Sequence, residues 1–460
     1  MGPETRRPTT RATHPAPPHR RFLPIPREAT PGGLYDGEPE TCRRDLRRFV
    51  PILAHFGVMV LVFVVYRLEG RAFQGIAAAT FLALPVHYAL PYRWKRPFFV
   101  ALSIGALIGV FGLAAGAIVL GASSLLIGAC YLPIPWIASA GVVATIGLAL
   151  GLGRAGFYAA AAPETAWAVI GSVFMFRMIL YLYELKHAKG PEPLGDTLGY
   201  FFLLPNFCFT WLFPVVDYRT LQRGYFAKDI HANSQAGLRM MFRGTVQLLL
   251  YRLVYHDLVI GMDKVVDPGT LARFLTTNYL RYLHVSGQFH LAIGMLHLFG
   301  FSLPETHHRY LLASSFTDYW RRINIYWKDF MVRVVFNPVA FRLKRRPQWL
   351  ALLAATAAVF VATWFLHAYQ SFWISGSWGF SWQDSLFWGI LGGLVLVNVQ
   401  LDARSPRRRT LGAKASWDAK GLALQAIKVF ATFATIAVLW SLWTSPSVGA
   451  WLEMWERVLL

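Results

Sequence analysis

Hydrophobic positions along this chain fall in solid blocks and not in a stripe that recurs every 3.6 residues. Residues 52–66 and 98–130 are two such blocks. Apolar runs of about 18 residues or more predict helices that cross a bilayer. The pattern predicts helices over 52–68, 76–90, 137–152 and 167–185, and later over 349–372, 385–399 and 422–443. The run 97–133 is long enough for two helices around a Gly-rich middle. Residues 201–220, "FFLLPNFCFTWLFPVVDYRT", are apolar but carry Pro205 and Pro214, so they predict a broken or re-entrant element. A further span is expected over 245–261, and a long segment over 271–303 is dotted with His284, His290 and His297. The total is about ten to twelve membrane elements, broken ones included, and the fold class is all-α and polytopic. No internal repeat of the kind many transporters carry is evident.

Composition sharpens this. Only 15% of the 460 residues are charged, 55% are hydrophobic and the mean hydropathy is +0.41. A soluble domain carries about a quarter charged residues. The net charge of +21 therefore has to be read by location. Four basic clusters abut apolar runs: Arg43, Arg44, Arg47 and Arg48; Arg93 to Arg96; Phe341 to Arg346; and Arg404 to Arg409. Positive-inside bias puts all four in the cytoplasm and explains the charge without a nucleic-acid partner. Residues 1–48 are rich in Pro, Arg and Thr, so they predict a disordered, basic cytoplasmic tail ahead of a membrane-embedded domain over 49–460. Its last arginines are placed to touch anionic lipid. No secretory signal or myristoylation pattern opens the chain, and Cys42, Cys130 and Cys208 lie too far apart to suggest a metal site or disulfide framework.

One stretch breaks the hydrophobic rule. "SFTDYWRRINIYWKDFM", residues 315–331, mixes five charges with four Tyr and Trp around the single amide Asn324. Such a segment cannot face lipid as a spanning helix. Residues 315–340 should lie at the membrane surface or dip into a polar cavity, with Asn337-Pro338 ending the helical pattern. Beyond it, His367 ends an apolar run of about twenty residues, as a core histidine bonded to a backbone carbonyl or as a functional group inside the membrane. Arg177 sits in an apolar helix and should be paired, with Glu184 or with a ligand.

The run from Ser286 to Met331 resembles the membrane-bound O-acyltransferases, above all the bacterial branch of alginate O-acetyltransferases and teichoic acid D-alanyltransferases. The resemblance is carried by Ser286-Gly287, Ala292-Ile293-Gly294, Gly300-Phe301-Ser302-Leu303-Pro304 and Tyr319-Trp320-Arg321-Arg322-Ile323-Asn324, with His367 in "TWFLHAY" 43 residues beyond Asn324. That branch usually has Asp where His290 stands and His where Asn324 stands. Sterol and diacylglycerol acyltransferases have Asn at the latter position.

The resemblance implies transfer of an acyl group, acetyl by preference, from a cytoplasmic thioester to a hydroxyl inside a membrane tunnel. The donor would be acyl-coenzyme A or an acyl carrier protein, the acceptor a glycan or lipid, and no bound cofactor or metal is expected. His367 is the expected general base and Asn324 the donor that orients the acceptor or the developing oxyanion. Trp320, Arg321, Arg322, Tyr326 and Lys328 are expected at the cytoplasmic mouth, where the cations could hold donor phosphates. Asn206 and Asp217 are expected to line the tunnel. A long-chain lipid or sterol-type acyltransferase, and a non-catalytic transporter or scaffold on the same fold, are the rival readings.

Overall fold

The computed structural model describes residues 39–158, 162–188, 190–204, 215–404 and 419–460. No β-strand occurs among them, and a lone antiparallel bridge joins Tyr225 and Phe301. The helices are α1 (Leu46–Val65), α2 (Arg71–Ala89), α3 (Tyr92–Ala129), α4 (Trp136–Arg154), α5 (Glu164–Ala168) and α6 (Phe176–Leu185), the last two joined by a π-helical turn. Then come α7 (Leu194–Phe201), α8 (Tyr218–Gly224), α9 (Ile230–Leu253), α10 (Pro268–Leu280), α11 (Tyr282–Leu298), α12 (Phe316–Arg322), α13 (Ile325–Met331) and α14 (Asn337–Arg342). The chain closes with α15 (Gln348–Ser375), α16 (Trp382–Arg404), α17 (Ala419–Trp443) and α18 (Val448–Leu459). Among the described residues eight helices, counting α5–α6 as one, are long and apolar enough to cross a membrane. The protein is an all-α, multi-pass integral membrane protein.

At 38 residues α3 would measure about 57 Å if straight, far more than a hydrocarbon core of about 30 Å. It does not run straight. Gly112 takes φ +82°, a conformation in which only glycine is unstrained, and breaks the helix. A Cβ on Gly116 would meet the Cα of Ile108 at 3.3 Å, so the chain folds back on itself. Both ends also touch the same short helix: Arg96 pairs with Asp196 of α7, and the Tyr131 hydroxyl donates to Thr197 at 2.8 Å. α3 is thus a hairpin of two helices, as the length of the apolar run requires.

Side-chain ties fix which helix ends share a face. Arg48 at the start of α1 meets Asp229 at the start of α9 at 2.9 Å, and Arg252 at the end of α9 donates to the Tyr66 carbonyl past the end of α1. The α3 hairpin returns α4 to the face where α1 begins. Arg154 at the end of α4 donates to Ile374 O near the end of α15 at 3.1 Å. Gln400 near the end of α16 donates to Trp349 O at the start of α15 at 2.8 Å, and Gln383 at the start of α16 reaches Pro446 O past the end of α17 at 2.8 Å. The first three basic clusters and Arg404, the described residue of the fourth, therefore lie on one face.

The segments with polar residues depart most from expectation. The span expected over 245–261 divides: residues 245–253 finish α9, which begins at Ile230, and a π-helical turn, Val254–Leu258, follows. The stretch 271–303 is divided at Arg281 into α10, opened by an Asp267 capping box, and α11. α9 and α11 pack backbone to backbone: a Cβ on Gly237 would lie 2.6 Å from Gly294 O, and one on Gly244 2.7 Å from Gly287 O. Pro338 does not end its helix. A π-helical turn, Val332–Phe336, joins α13 to α14, and Pro338 sits in the first turn of α14, where its missing N–H costs little. Arg177 does not pair with Glu184. It donates to the Tyr200 and Phe201 carbonyls at 2.9 and 3.0 Å, satisfying the end of α7 just before the Pro-containing stretch. Helical structure starts before residue 49, because α1 opens at Leu46 with the Asp45 carboxylate as its N-cap.

Candidate functional site

The polar stretch dips inward. α12 is capped by Ser315 Oγ, which accepts from Asp318 N at 3.1 Å, and its first residue, Phe316, donates its N–H to Asn398 of α16. Asn324 then turns the chain with φ +40°, a left-handed conformation that Asn tolerates. Its Oδ1 accepts from Trp327 N at 3.2 Å and so caps α13. From Ile325 the helical path runs through the π turn to Arg342, beside the basic loop 344–346. Those 18 residues measure about 27 Å. His367 is 19 residues into α15 from the same loop, about 28 Å along. The two path lengths agree, so Asn324 and His367 lie at one depth, far from the basic face. The segment is a re-entrant pair with Asn324 at its apex, and not a surface helix.

Trp327 joins the two residues. Its backbone N–H is the donor to the Asn324 cap, and its ring lies 5.7 Å from the His367 ring at 63°. Its indole N–H reaches Thr363, one turn before His367, at 3.3 Å. Two more indoles wall the imidazole: Trp388 of α16 at 4.7 Å and Trp443 of α17 at 6.2 Å between ring centroids. Both give their N–H to Asp384 Oδ1, at 3.2 and 2.9 Å. His367 itself is half-buried, and neither ring nitrogen hydrogen-bonds to another described residue. A core histidine tied to a carbonyl, one of the two readings of the sequence, is not what stands here. A neutral imidazole with an uncommitted lone pair can accept a proton from a hydroxyl placed against it.

The other anticipated residues divide. Trp320 packs on Phe360 of α15 at 4.8 Å, which helps seat the re-entrant pair. Arg322 is held by Asp318 at 2.8 Å and Lys328 by Asp329 at 2.7 Å, while Arg321 is exposed. Arg321 and Arg322 stand beside the apex and not at the mouth, because α12 carries them inward. Tyr326 is buried and donates to Pro304 O at 2.7 Å, so its hydroxyl pins the helix to the preceding loop. Asp217 caps α8, accepts from Thr220, and shares Arg333 with Glu184 at 3.1 and 2.8 Å. Burial would raise its pKa, but the Thr220 bonds and the Arg333 charge outweigh burial and hold it below the ordinary carboxylate value. Asp217 and Tyr326 line one cavity of about 110 Å³, with Asp329 and Arg333 on its wall. Asn206 lies outside the described residues.

The histidines of α11 do not line one cavity. His284 borders a cavity of about 280 Å³ and pairs with Glu69 at 2.9 Å. His290 is buried and bonds Gln247 at 2.8 Å, and His297, also buried, bonds the Leu303 backbone at 2.9 Å.

Trp327, Trp388, Trp443 and Asp384 were not among the expected site residues. In sequence, Ser381 and Asp384 in "SWQD" read as a helix-start signal, and Ser381 Oγ does accept from Asp384 N at 3.0 Å. That ordinary role hid the carboxylate's second one. No protein-family model matches the chain, and no curated protein matches it either.

Proposed function

We propose that the protein is a membrane O-acyltransferase with His367 as general base. The observation that carries this reading is an imidazole, unbonded among the described residues and walled by indoles, at the depth of the turn that brings the Asn324 carboxamide into the same region. A hydroxyl is a weak nucleophile near neutral pH. His367 takes its proton as the oxygen attacks the thioester carbonyl. The C–O bond forms, the tetrahedral intermediate collapses, the C–S bond breaks, and the proton passes from His367 to the leaving sulfur. Asn324 keeps Oδ1 on the Trp327 N–H, which leaves its Nδ2 group to donate to the acceptor or to the oxyanion. The basic face is cytoplasmic under positive-inside bias, which puts the N-terminus there too. The phosphates of acyl-coenzyme A or of an acyl carrier would meet that charge, and the acceptor, a glycan or lipid hydroxyl, would reach His367 from the opposite leaflet. The family resemblance around 286–331 supports the same reading.

The test is direct. Membranes carrying the wild-type chain or His367→Ala are given radiolabelled acetyl- and long-chain acyl-coenzyme A, and the labelled product is identified. Acyl transfer that needs His367 supports the proposal. A variant that transfers label at the wild-type rate overturns it, and would turn attention to a carrier or scaffold. Label entering lipid from the long-chain donor alone would instead select the lipid-type enzyme that Asn324 favours.

A further inference from the structure

The carboxylate of Asp384 is out of place. It is 7% exposed, in the first turn of α16, and no ion pair to a described cation is present. A buried carboxylate without a cation is costly unless other donors replace water. Here the donors are indoles. Trp388, one turn on, and Trp443, from α17, both donate to Oδ1. The two tryptophans come from two helices, and the rings of both face His367.

We infer that Asp384 is a positioning residue for His367, acting through Trp388 and Trp443 as the clamp of an aromatic cage. The inference rests on the reading of His367 as base. An imidazole that no hydrogen bond orients must be held by packing alone, and an indole held at its N–H cannot swing. Trp327, fixed at Thr363, closes the third side. The cage also bears on the charged form. When His367 carries the transferred proton, Trp388 and Trp327 lie within about 6 Å, the range over which an indole face attracts a cation. Among the described residues no carboxylate bonds His367 directly, so ring faces replace the usual acidic partner.

The experiment compares Asp384→Asn, Asp384→Leu and Trp388→Phe in purified full-length protein. Asn keeps an oxygen for both indoles; Leu removes it; Phe keeps a ring but removes one N–H. The expected result is that Asp384→Leu lowers kcat about 10- to 100-fold with KM for the acyl donor unchanged. Asp384→Asn should recover most of that loss, and Trp388→Phe should fall between. A second readout needs no substrate: diethylpyrocarbonate modification of His367, followed by mass spectrometry, should quicken several-fold in Asp384→Leu as the ring loosens. Wild-type kcat together with unchanged modification in Asp384→Leu overturns the inference, as does an Asn variant as impaired as the Leu variant. If Asp384→Leu does not fold, Trp388→Phe decides by the same two readouts. Loss of activity in His367→Gln with no effect of Asp384→Leu removes the clamp alone. Full activity in His367→Gln removes the base, and the clamp with it.

Discussion

Two helices of this bundle, α11 and α15, treat their histidines in opposite ways. On α11, His284, His290 and His297 each hold a polar partner: Glu69, Gln247 and the Leu303 backbone. α11 is pressed onto α9 through paired glycines, and His290 adds a hydrogen bond across that joint to Gln247. On α15, His367 has tryptophans on three sides and no hydrogen bond to a described residue. The same side chain is a tie in one place and an uncommitted base in the other. An intramembrane histidine is therefore to be judged by what its nitrogens already do.

Substitution should separate the two regions most sharply at His367. His367→Ala is expected to lower acyl transfer about 10²- to 10⁴-fold, the range of a lost general base, while the melting temperature in detergent stays close to wild type. Asn324 comes next. Asn324→Asp keeps an oxygen for the Trp327 cap but loses the amide donor, so kcat should drop about 10- to 100-fold with little change in stability. A loss of stability with unchanged kcat would make Asn324 a turn residue only. On α11 the expectation reverses. His290→Ala removes a buried ring and its bond to the half-buried Gln247 and should cost about 1–3 kcal/mol of stability, with kcat of the folded fraction near wild type. Denaturation in detergent alongside single-turnover kinetics reads both quantities.

What the sequence made legible follows the same division. The apolar blocks announce the spanning helices because lipid-facing residues have no other constraint, and even the α3 hairpin could be read from length. Asn324 and His367 stood out because each interrupts a pattern. The carboxylate clamp did not, because Asp384 also answers an ordinary helix-start signal and its partners are 4 and 59 residues away. Arg177 misled for a related reason. Sequence suggests a charge as the partner of a charge, whereas α7 offered it two carbonyls, and Glu184 was taken by Arg333 from 149 residues away. Pairings made by tertiary contact leave no local trace.

The smallest expected effect tests whether Asp217 belongs with the ties or with the working groups. Its carboxyl is held below the ordinary value: burial opposes this, but the Thr220 bonds and Arg333 prevail. A depressed folded pKa means that the unfolded chain binds the proton more readily. The stability that Asp217 contributes is therefore full above the unfolded value of about 4 and is lost as pH falls through the lower folded value. Asp217→Asn keeps a good N-cap for α8 but removes the charge, so it isolates this contribution. Melting curves at pH 7 should show the variant less stable by about 1–2 kcal/mol, and the gap should close as pH falls below about 4. A gap that persists into acid would assign the loss to packing in the 110 Å³ cavity. A variant equal in stability but slower in transfer would move Asp217 into the region of His367, and the boundary between the two kinds of site would shift with it.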